Sequence, residues 1–277
     1  MWSIRSSTVC CGIRVHERPD AHRAVAAGML AIVSATPEEN ATLVASLTGV
    51  TTREYGRRHY HVGSYRSVEV VVVFSRMGKV AAAATAAQLL ASFPVSALVF
   101  SGVAGAVRAG LAIGDVVVGT ELLQHDMDAT PLFPRYEVPL CGTDRFVAAA
   151  PLRARLRQAA EEFLRQDLHS AVAAAELAAF KIRAPRVSEG MIVSGDKFFA
   201  SSAELDELRQ RLPLALCVEM EGAAVAQVCD EYAVPFGIVR VISDAADETA
   251  VHDFPRFSRE IARHYSTGIL ARFAQHL

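Results

Sequence analysis

Four carboxylates of this sequence follow closely on apolar runs that read as buried strands. They are Glu39, Glu219, Glu221 and Asp244. Ligands of open α/β sheets bind at the carboxyl ends of the strands, so we expect these groups to meet at one edge of a sheet. Carboxylates placed in this way transfer protons and stabilise a developing cation, as paired acids do in glycoside hydrolysis. The pattern predicts hydrolysis through an oxocarbenium-like transition state without a metal. Mg²⁺ binding is the alternative, although the spacing matches no dedicated site.

The elements that must position these carboxylates alternate along the chain. The predicted strands are Leu30–Val33, Val68–Phe74, Ala97–Ser101, Asp115–Val118, Gly190–Val193, Ala215–Val218 and Phe236–Ile242. The predicted helices are Glu38–Leu47, Lys79–Phe93, Leu152–Leu168, Ala203–Arg211, Glu221–Tyr232 and Phe254–Leu277. Val- and Ile-rich runs without polar alternation are buried on both faces, and interleaved helices cover such strands. We predict one α/β domain over residues 29–277, with a twisted, largely parallel or mixed central sheet flanked by helices.

The first 28 residues have a different character from the rest of the chain. Residues 1–28 show neither strand alternation nor a clear helical period, and the first strand begins just after Met29. The segment carries arginines but lacks an apolar stretch followed by a small-residue cleavage site, which a secretory signal would need. We interpret residues 1–28 as a disordered extension or a misassigned start.

Charge and hydropathy exclude two classes of partner. The 277 residues carry 28 basic and 30 acidic side chains, without the cationic surplus typical of nucleic-acid binding. The apolar stretches are interrupted, by Glu69 before Val70–Phe74 and by Arg108 and Asp115 after Leu98–Val107. None reaches the roughly 18 to 20 apolar residues of a membrane span. We expect neither nucleic acid nor a membrane as a partner.

Cysteine and histidine usage argues against a disulfide framework and against a metal site. The five cysteines are Cys10, Cys11, Cys141, Cys217 and Cys229. They are odd in number and include no CxxC pair, which argues against disulfides and zinc and favours a reducing, cytoplasmic setting. His125 with Asp126 and Asp128 is interpreted as a hydrogen-bonded turn. We expect no metal and no cofactor.

Ordered motifs along the chain resemble those of one family. The matching stretches are Ala31–Glu39 (AIVSATPEE), Ser75–Lys79 (SRMGK), Ser101–Gly105 (SGVAG), Gly114–Val118 (GDVVV), His125–Asp128 (HDMD), Ser194–Asp196 (SGD), Val218–Ala223 (VEMEGA) and Val239–Asp244 (VRVISD). In this order and spacing they resemble a bacterial 5′-methylthioadenosine/S-adenosylhomocysteine nucleosidase of the purine nucleoside phosphorylase superfamily. The resemblance implies a nucleoside phosphorylase-like fold and a small-molecule nucleoside substrate.

The resemblance also implies catalytic roles. Glu39 matches the base that activates water, Asp244 the acid that protonates N7 of adenine, and Glu221 the carboxylate that binds the ribose hydroxyls. Adenine leaves poorly until N7 is protonated, so the acid must keep its proton near neutral pH, which burial arranges.

Ten further positions are implied to bind substrate. They are Met77, Gly102, Val103, Phe198, Phe199, Glu219, Met220, Arg240, Ser243 and Phe254. Phe198 would stack on adenine and the backbone of Phe199 would read its edge. Arg240 would steer the base carboxylate, and Ser243 would orient the acid. Met77, Phe254 and, from a second subunit, Phe133 or Tyr136 would line the alkylthio pocket, which implies a homodimer.

The choice between water and phosphate as the nucleophile rests on the glycine-rich turn. Phe100 and Val103 occupy the positions where bacterial phosphorylases carry Arg and Ser, and Glu38 and Glu39 would repel phosphate. We therefore predict a hydrolase. Two departures remain, because many nucleosidases have Ser at position 103 and Met where this chain has Thr36. The alternatives are a 6-amino-6-deoxyfutalosine nucleosidase, a phosphate-dependent phosphorylase and a non-catalytic adenine-nucleoside binding protein.

Overall fold

Ten strands form one continuous sheet in residues 28–277, the part of the chain that the computed structural model describes. The strands are β1 (Met29–Ser34), β2 (Thr48–Tyr55), β3 (Arg58–Tyr65), β4 (Val68–Phe74), β5 (Val95–Ala106), β6 (Val116–Gln124), β7 (Arg145–Val147), β8 (Val187–Ser194), β9 (Ala215–Glu219) and β10 (Phe236–Asp244). The helices are α1 (Pro37–Ala45), α2 (Lys79–Ser92), α3 (Ala150–Glu162), α4 (Leu168–Ala171), α5 (Ala174–Ala179), α6 (Ser202–Arg211), α7 (Gly222–Glu231), α8 (Ala250–Phe257) and α9 (Arg263–Gln275).

The sheet closes on itself through its long central strands. Its order is β10-β6-β8-β9-β5-β1-β4-β3-β2, with β7 beside β6, and β10 also pairs with β5. Strands β5, β10, β6, β8 and β9 therefore form a ring, and β1 to β4 extend from it. Five of the ten strand pairings are parallel and five antiparallel. The α/β prediction is confirmed, with a mixed sheet.

Helices cover both faces of the extended part of the sheet. Leu30 and Ile32 of β1 pack into a core cluster with α9 and α3, whereas the alternate residues Ala31 and Val33 pack into a second cluster with α2 and α7. Side chains of a strand alternate between the two faces, so a strand without polar residues is buried on both. This double covering explains why the parallel strands carry nearly continuous apolar runs.

Several elements differ from the sequence-based prediction. The hairpin of β2 and β3 was not predicted, because β2 is exposed along nearly its whole length and carries no apolar pattern. The predicted helix Leu152–Leu168 begins earlier, at Ala150, and passes through a π-helical turn at Phe163–Asp167. The terminal helical region is divided in the same way by a π-helical turn at Ser258–Ala262.

Two expectations concern the ends of the chain and membranes. The interpretation of residues 1–28 lies outside the described residues, apart from Gly28, and stays a prediction. Among residues 28–277, the helices are all too short or too polar to cross a bilayer.

Candidate active site

One cleft is lined by every residue of this chain that was predicted to be catalytic or substrate-binding. It is lined by Glu39, Met77, Gly102, Val103, Phe198, Phe199, Glu219, Met220, Glu221, Arg240, Ser243, Asp244 and Phe254. Its remaining lining residues are Ala35, Thr36, Ala104, Gly105, Lys197, Val218 and Ala246. Phe133 and Tyr136 lie outside the lining of this chain's own cleft.

The strand ends bring these residues together. Glu39 follows β1, Glu219 ends β9 and Asp244 ends β10, and the parallel pairings of β1 and β10 with β5 align their carboxyl ends beside the glycine-rich stretch of β5. The antiparallel pairing of β9 with β5 joins Gly105 to Val218 and so carries Glu219 to the same place. The closed ring of strands therefore brings carboxylates that are distant in sequence into one cleft.

Glu39 is held by the start of its own helix. Its Oε2 accepts the N–H groups of Ala35 and Thr36 at 2.9 and 3.0 Å, in the N-terminal turn of α1. Burial raises the pKa of Glu39, while the Thr36 and Ala35 hydrogen bonds and the charge of Arg240 oppose that rise. A Cβ added at Gly102 would lie 3.2 Å from Oε1, so the glycine keeps the space beside this oxygen clear. Oε1 of Glu39 therefore lies beside Gly102 in the lining of the cleft.

Glu219 and Arg240 form a buried ion pair. The guanidinium Nη2 lies 2.7 Å from Oε2, and the two side chains are 1% and 2% exposed. Glu219 also accepts hydrogen bonds from the Ser194 hydroxyl and from the N–H groups of Glu221 and Gly222. The Glu219 carboxylate thus accepts hydrogen bonds from a guanidinium, a hydroxyl and two backbone N–H groups.

The position of Arg240 differs from the expectation that it steers Glu39. Its guanidinium bonds Glu219 and the carbonyl oxygens of Phe100 and Val239, and it stacks on the Phe100 ring at 4.1 Å. The positive charge still lowers the pKa of Glu39, but through space. Strand β9, which ends at Glu219, and strand β10, which carries Arg240, both pair with β5, and this topology brings the two side chains together.

Glu221 lies at the N-terminus of α7, facing the cleft. Its Oε1 accepts the N–H of Gly78 at 2.8 Å, which ties the β4–α2 turn to the site. Burial, followed by the charge of Glu219, raises the pKa of Glu221 to about 8. Gly78 has φ +92°, where a side chain would be strained. The sequence shows this glycine, but nothing in it shows that its N–H binds a carboxylate from another part of the chain.

Asp244 has the environment of a buried acid. Its Oδ2 accepts the hydroxyl of Ser243 at 2.7 Å and its Oδ1 accepts the N–H of Ala246 at 2.9 Å. Burial raises its pKa and outweighs these two hydrogen bonds. A Cβ at Gly105 would lie 2.9 Å from Oδ1, so this glycine admits the carboxyl. Asp244 is therefore placed to hold a proton at higher pH than an exposed aspartate.

Aromatic side chains also line the cleft. Phe198 and Phe254 pack edge to face with ring centroids 5.6 Å apart, and Phe198 remains 39% exposed. Phe199 is buried, with its ring edge-on to His125 at 5.4 Å. Met77 is exposed beside the cleft. Flat apolar surfaces of this kind suit an aromatic base and an apolar substituent.

Carboxyl groups outnumber cations in the cleft. Its described lining residues include four carboxyl groups and two cations, Arg240 and Lys197. Burial raises the pKa of Glu39, Glu221 and Asp244, so the negative charge is smaller than the number of carboxyl groups. Arg240 is buried against Glu219, whereas Lys197 forms a weak surface pair with Glu204 at 2.7 Å. The buried cation of the cleft is thus already neutralised by a carboxylate.

The sequence did not predict several residues that hold the carboxylates and turns of the site in place. Ser194 donates its hydroxyl to Glu219 and accepts the N–H of Ala223, which fixes β8 against the start of α7. Lys79, after Gly78, pairs with Asp126 at 2.6 Å, and Asp126 also accepts the N–H of Asp196. Ser194, Lys79 and Asp126 all fall in the matching stretches, but their partners are long-range and no local pattern shows them.

Comparisons with known proteins agree with the resemblance. The profile of the phosphorylase superfamily matches residues 29–275. A 5′-methylthioadenosine/S-adenosylhomocysteine nucleosidase of Chromohalobacter salexigens is 35% identical over 85% of this chain and 92% of its own. An aminodeoxyfutalosine nucleosidase of Campylobacter jejuni is 34% identical over 82% and 90%. The crystal structure of the Neisseria meningitidis 5′-methylthioadenosine/S-adenosylhomocysteine nucleosidase, bound to methylthio-immucillin-A, superposes with a TM-score of 0.79 at 31% identity, covering 90% of this chain and all of that one.

Proposed function

The chain belongs to the phosphorylase superfamily, with 5′-methylthioadenosine/S-adenosylhomocysteine nucleosidases among its relatives, and from this premise we propose that it hydrolyses the N-glycosidic bond of these two nucleosides. The products are adenine and the corresponding 5-thioribose. The observation that carries the proposal is the set of buried carboxylates around a cleft whose arginine is already paired.

The reaction divides between two carboxyl groups on opposite sides of the bond. Asp244 gives its proton to N7 of adenine, and the C1′–N9 bond breaks with its electrons going to the base. Water bonds to C1′ and passes a proton to Glu39. The raised pKa of Asp244 supports its role as the acid. Burial raises the pKa of Glu39 as well, and the backbone donors and the charge of Arg240 oppose that rise, in favour of the ionised form that a base needs.

Substrate binding uses the remaining predicted residues. Glu221 accepts the ribose hydroxyls and stabilises positive charge on the sugar, with Met220 packed beneath the ring and Glu219 beside them. Phe198 stacks on adenine and the backbone of Phe199 reads its edge. The position of these residues in one cleft supports the assignment.

Water is favoured over phosphate as the nucleophile on electrostatic grounds. A phosphate ion would enter beside Glu39 and Glu219, where the buried cation, Arg240, is already paired. Burial of an unpaired anion in a site of low dielectric is costly, and neighbouring like charges add to the cost. Water carries no such penalty.

The test is adenine release from 5′-methylthioadenosine with and without inorganic phosphate. The proposal predicts equal rates and free 5-methylthioribose as the product. A rate that depends strictly on phosphate would overturn the hydrolase assignment, and failure to release adenine from either nucleoside would overturn the substrate assignment.

An aminodeoxyfutalosine nucleosidase is the second candidate, favoured by the similarity to the Campylobacter jejuni enzyme. The two candidates share the adenine and ribose contacts and differ only beyond the 5′ carbon. A side-by-side comparison of kcat/KM for 5′-methylthioadenosine, S-adenosylhomocysteine, 5′-deoxyadenosine and aminodeoxyfutalosine separates them. A clear preference for aminodeoxyfutalosine would replace the main assignment.

The functional unit is proposed to be a cytoplasmic homodimer. Leu132 and Leu140 are 84% and 89% exposed on the segment that carries Phe133 and Tyr136. Apolar side chains concentrated on one exposed segment are typical of an interface. Light scattering of the purified chain is expected to give twice the monomer mass, and Phe133→Ala is expected to raise KM. A monomer with full activity would refute this part of the proposal.

A further inference from the structure

Two turns that line the cleft are joined by a carboxylate outside its lining, Asp126. This residue follows β6 and accepts one hydrogen bond on each of its oxygens. Oδ1 accepts the Lys79 ammonium at 2.6 Å, and Oδ2 accepts the N–H of Asp196 at 2.9 Å. In turn, Oδ1 of Asp196 accepts the backbone N–H of Lys79 at 2.7 Å. Lys79, Asp126 and Asp196 therefore form a closed ring of three hydrogen bonds, which we call the clasp.

Each side of the clasp continues into a different half of the site. Lys79 follows Gly78, whose N–H binds Oε1 of Glu221 at 2.8 Å. Asp196 lies two residues before Phe198, on the segment between β8 and α6. In the proposed function Glu221 accepts the ribose hydroxyls and Phe198 stacks on adenine. The clasp thus joins the turn that holds the ribose carboxylate to the segment that carries the adenine-stacking ring.

The two turns approach each other closely at the clasp. A Cβ added at Gly78 would lie 3.1 Å from Oδ1 of Asp196. The Lys79 ammonium also donates to Oε1 of Gln124, the last residue of β6, at 3.1 Å, which fixes it to the sheet. Burial would raise the pKa of Asp126, but its hydrogen bonds and the charge of Lys79 outweigh burial and lower that pKa. Asp126 is therefore held as the carboxylate that both links require.

Each turn also has anchors of its own. The N–H of Ser75 donates to the carbonyl oxygen of Ser34 at 2.7 Å, at the start of the turn between β4 and α2. The N–H of Gly195 donates to the carbonyl oxygen of Glu219 at 3.1 Å, at the start of the segment between β8 and α6. The Asp126 side chain is 32% exposed, and ion pairs with exposed partners contribute little to stability. We therefore expect the clasp to set the distance between the turns and not the stability of the fold.

We propose that Asp126 is a positioning residue, which fixes the distance between the adenine half and the ribose half of the cleft. The inference rests on the proposed nucleosidase function. A nucleoside contacts both halves at once, and ordering them in advance lowers the entropic cost of binding and of reaching the transition state. Free adenine occupies only one half, so its affinity depends far less on the clasp. This difference distinguishes positioning from a general loss of structure.

The test measures kcat/KM for 5′-methylthioadenosine and Ki for free adenine in the same variants. An amide has one acceptor oxygen, so Asp126→Asn can keep only one of the two links. We expect its kcat/KM to fall about tenfold, the effect of one hydrogen bond to a charged group, while Ki for adenine changes less than about twofold. Lys79→Met should cause a similar loss, and the double variant should be no worse than either single one, because both changes break the same link.

The matched control is Asp206→Asn, which removes a carboxylate paired with Arg209 on the exposed side of α6. It should leave kcat/KM, Ki and Tm unchanged, and Asp126→Asn should unfold at nearly the same temperature as this control. Equal losses in kcat/KM and in affinity for adenine, or a much lower Tm for Asp126→Asn, would overturn the inference, since they would show damage to the fold.

The remaining outcomes separate this inference from the proposed function. A wild-type enzyme that hydrolyses 5′-methylthioadenosine, together with an Asp126→Asn variant of unchanged kcat/KM, would overturn the role of Asp126 alone. Additive losses in the double variant would overturn the shared link between Asp126 and Lys79. A wild-type enzyme that releases adenine from neither proposed nucleoside would overturn both the function and the inference.

Discussion

Replacement of Arg240 by methionine should destabilise the protein and disable the base through a single loss of charge. Arg240 and Glu219 are almost completely buried, with Nη2 and Oε2 2.7 Å apart. Methionine fills a similar volume but leaves the Glu219 carboxylate without a counter-charge. Its hydrogen bonds from Ser194 and from the α7 backbone remain.

The size of the effect follows from the burial of the pair. Removal of one partner of a buried ion pair costs about 3 to 5 kcal/mol, because an uncompensated charge stays behind. For a domain of this length each kcal/mol corresponds to a shift in Tm of about 2 to 4 °C. Arg240→Met should therefore lower Tm by about 10 °C. The pKa of Glu39 should rise as well, since Arg240 lowers it in the wild type, and the base form is the ionised one. The acidic limb of kcat/KM should move to higher pH.

The assay is thermal unfolding of three variants together with their pH profiles. Arg157→Met is the matched control, because Arg157 is 54% exposed and its pairs with Glu161 and Glu189 lie at the surface, where each contributes less than about 1 kcal/mol. The double variant Glu219→Gln/Arg240→Met removes both charges and should recover much of the lost stability. If Arg240→Met unfolds within a degree or two of Arg157→Met, the reasoning about a buried pair is wrong. If the double variant is no more stable than the single one, unpaired charge is not the cause.

Three further variants test the rest of the site. Asp244→Asn should abolish adenine release while Tm is kept, since an amide has no acidic proton for N7; turnover near wild type would mean that the acid is elsewhere. Gly105→Ala should lower kcat, because its Cβ would meet both Asp244 Oδ1 and Ala246 Cβ at 2.9 Å, and steady-state kinetics showing wild-type kcat would refute that fit. Phe198→Ala should raise KM about tenfold, as expected for the loss of stacking on one base, and an unchanged KM would remove Phe198 from the adenine site.

The carboxylates of the site were predictable because their positions obey a simple rule. Glu39, Glu219 and Asp244 follow or end apolar strands, and closure of the ring of strands brings them to one cleft. The doubly covered strands also leave a plain sequence signal, since they have no polar face. The α/β fold and the carboxylates of the cleft could therefore be predicted from these patterns, whereas the aromatic and methionine positions were implied by the resemblance to a known family.

What the sequence did not predict depends on long-range partners. The choice of Glu219 over Glu39 as the partner of Arg240 is set by where β9 enters the ring, which no spacing along the chain records. The N–H of Gly78 reaches Glu221 across 143 residues of sequence. The exposed strand β2 lacks an apolar face, so its residue types do not indicate that it pairs with β3.

The identity of the sugar product tests the central claim most directly. The enzyme is given 5′-methylthioadenosine in the presence and absence of inorganic phosphate, and the products are separated and weighed by mass spectrometry. Because the buried arginine beside Glu39 is already paired with Glu219, the account predicts adenine and free 5-methylthioribose under both conditions, at the same rate. Formation of 5-methylthioribose 1-phosphate, with no reaction when phosphate is withheld, would contradict the account.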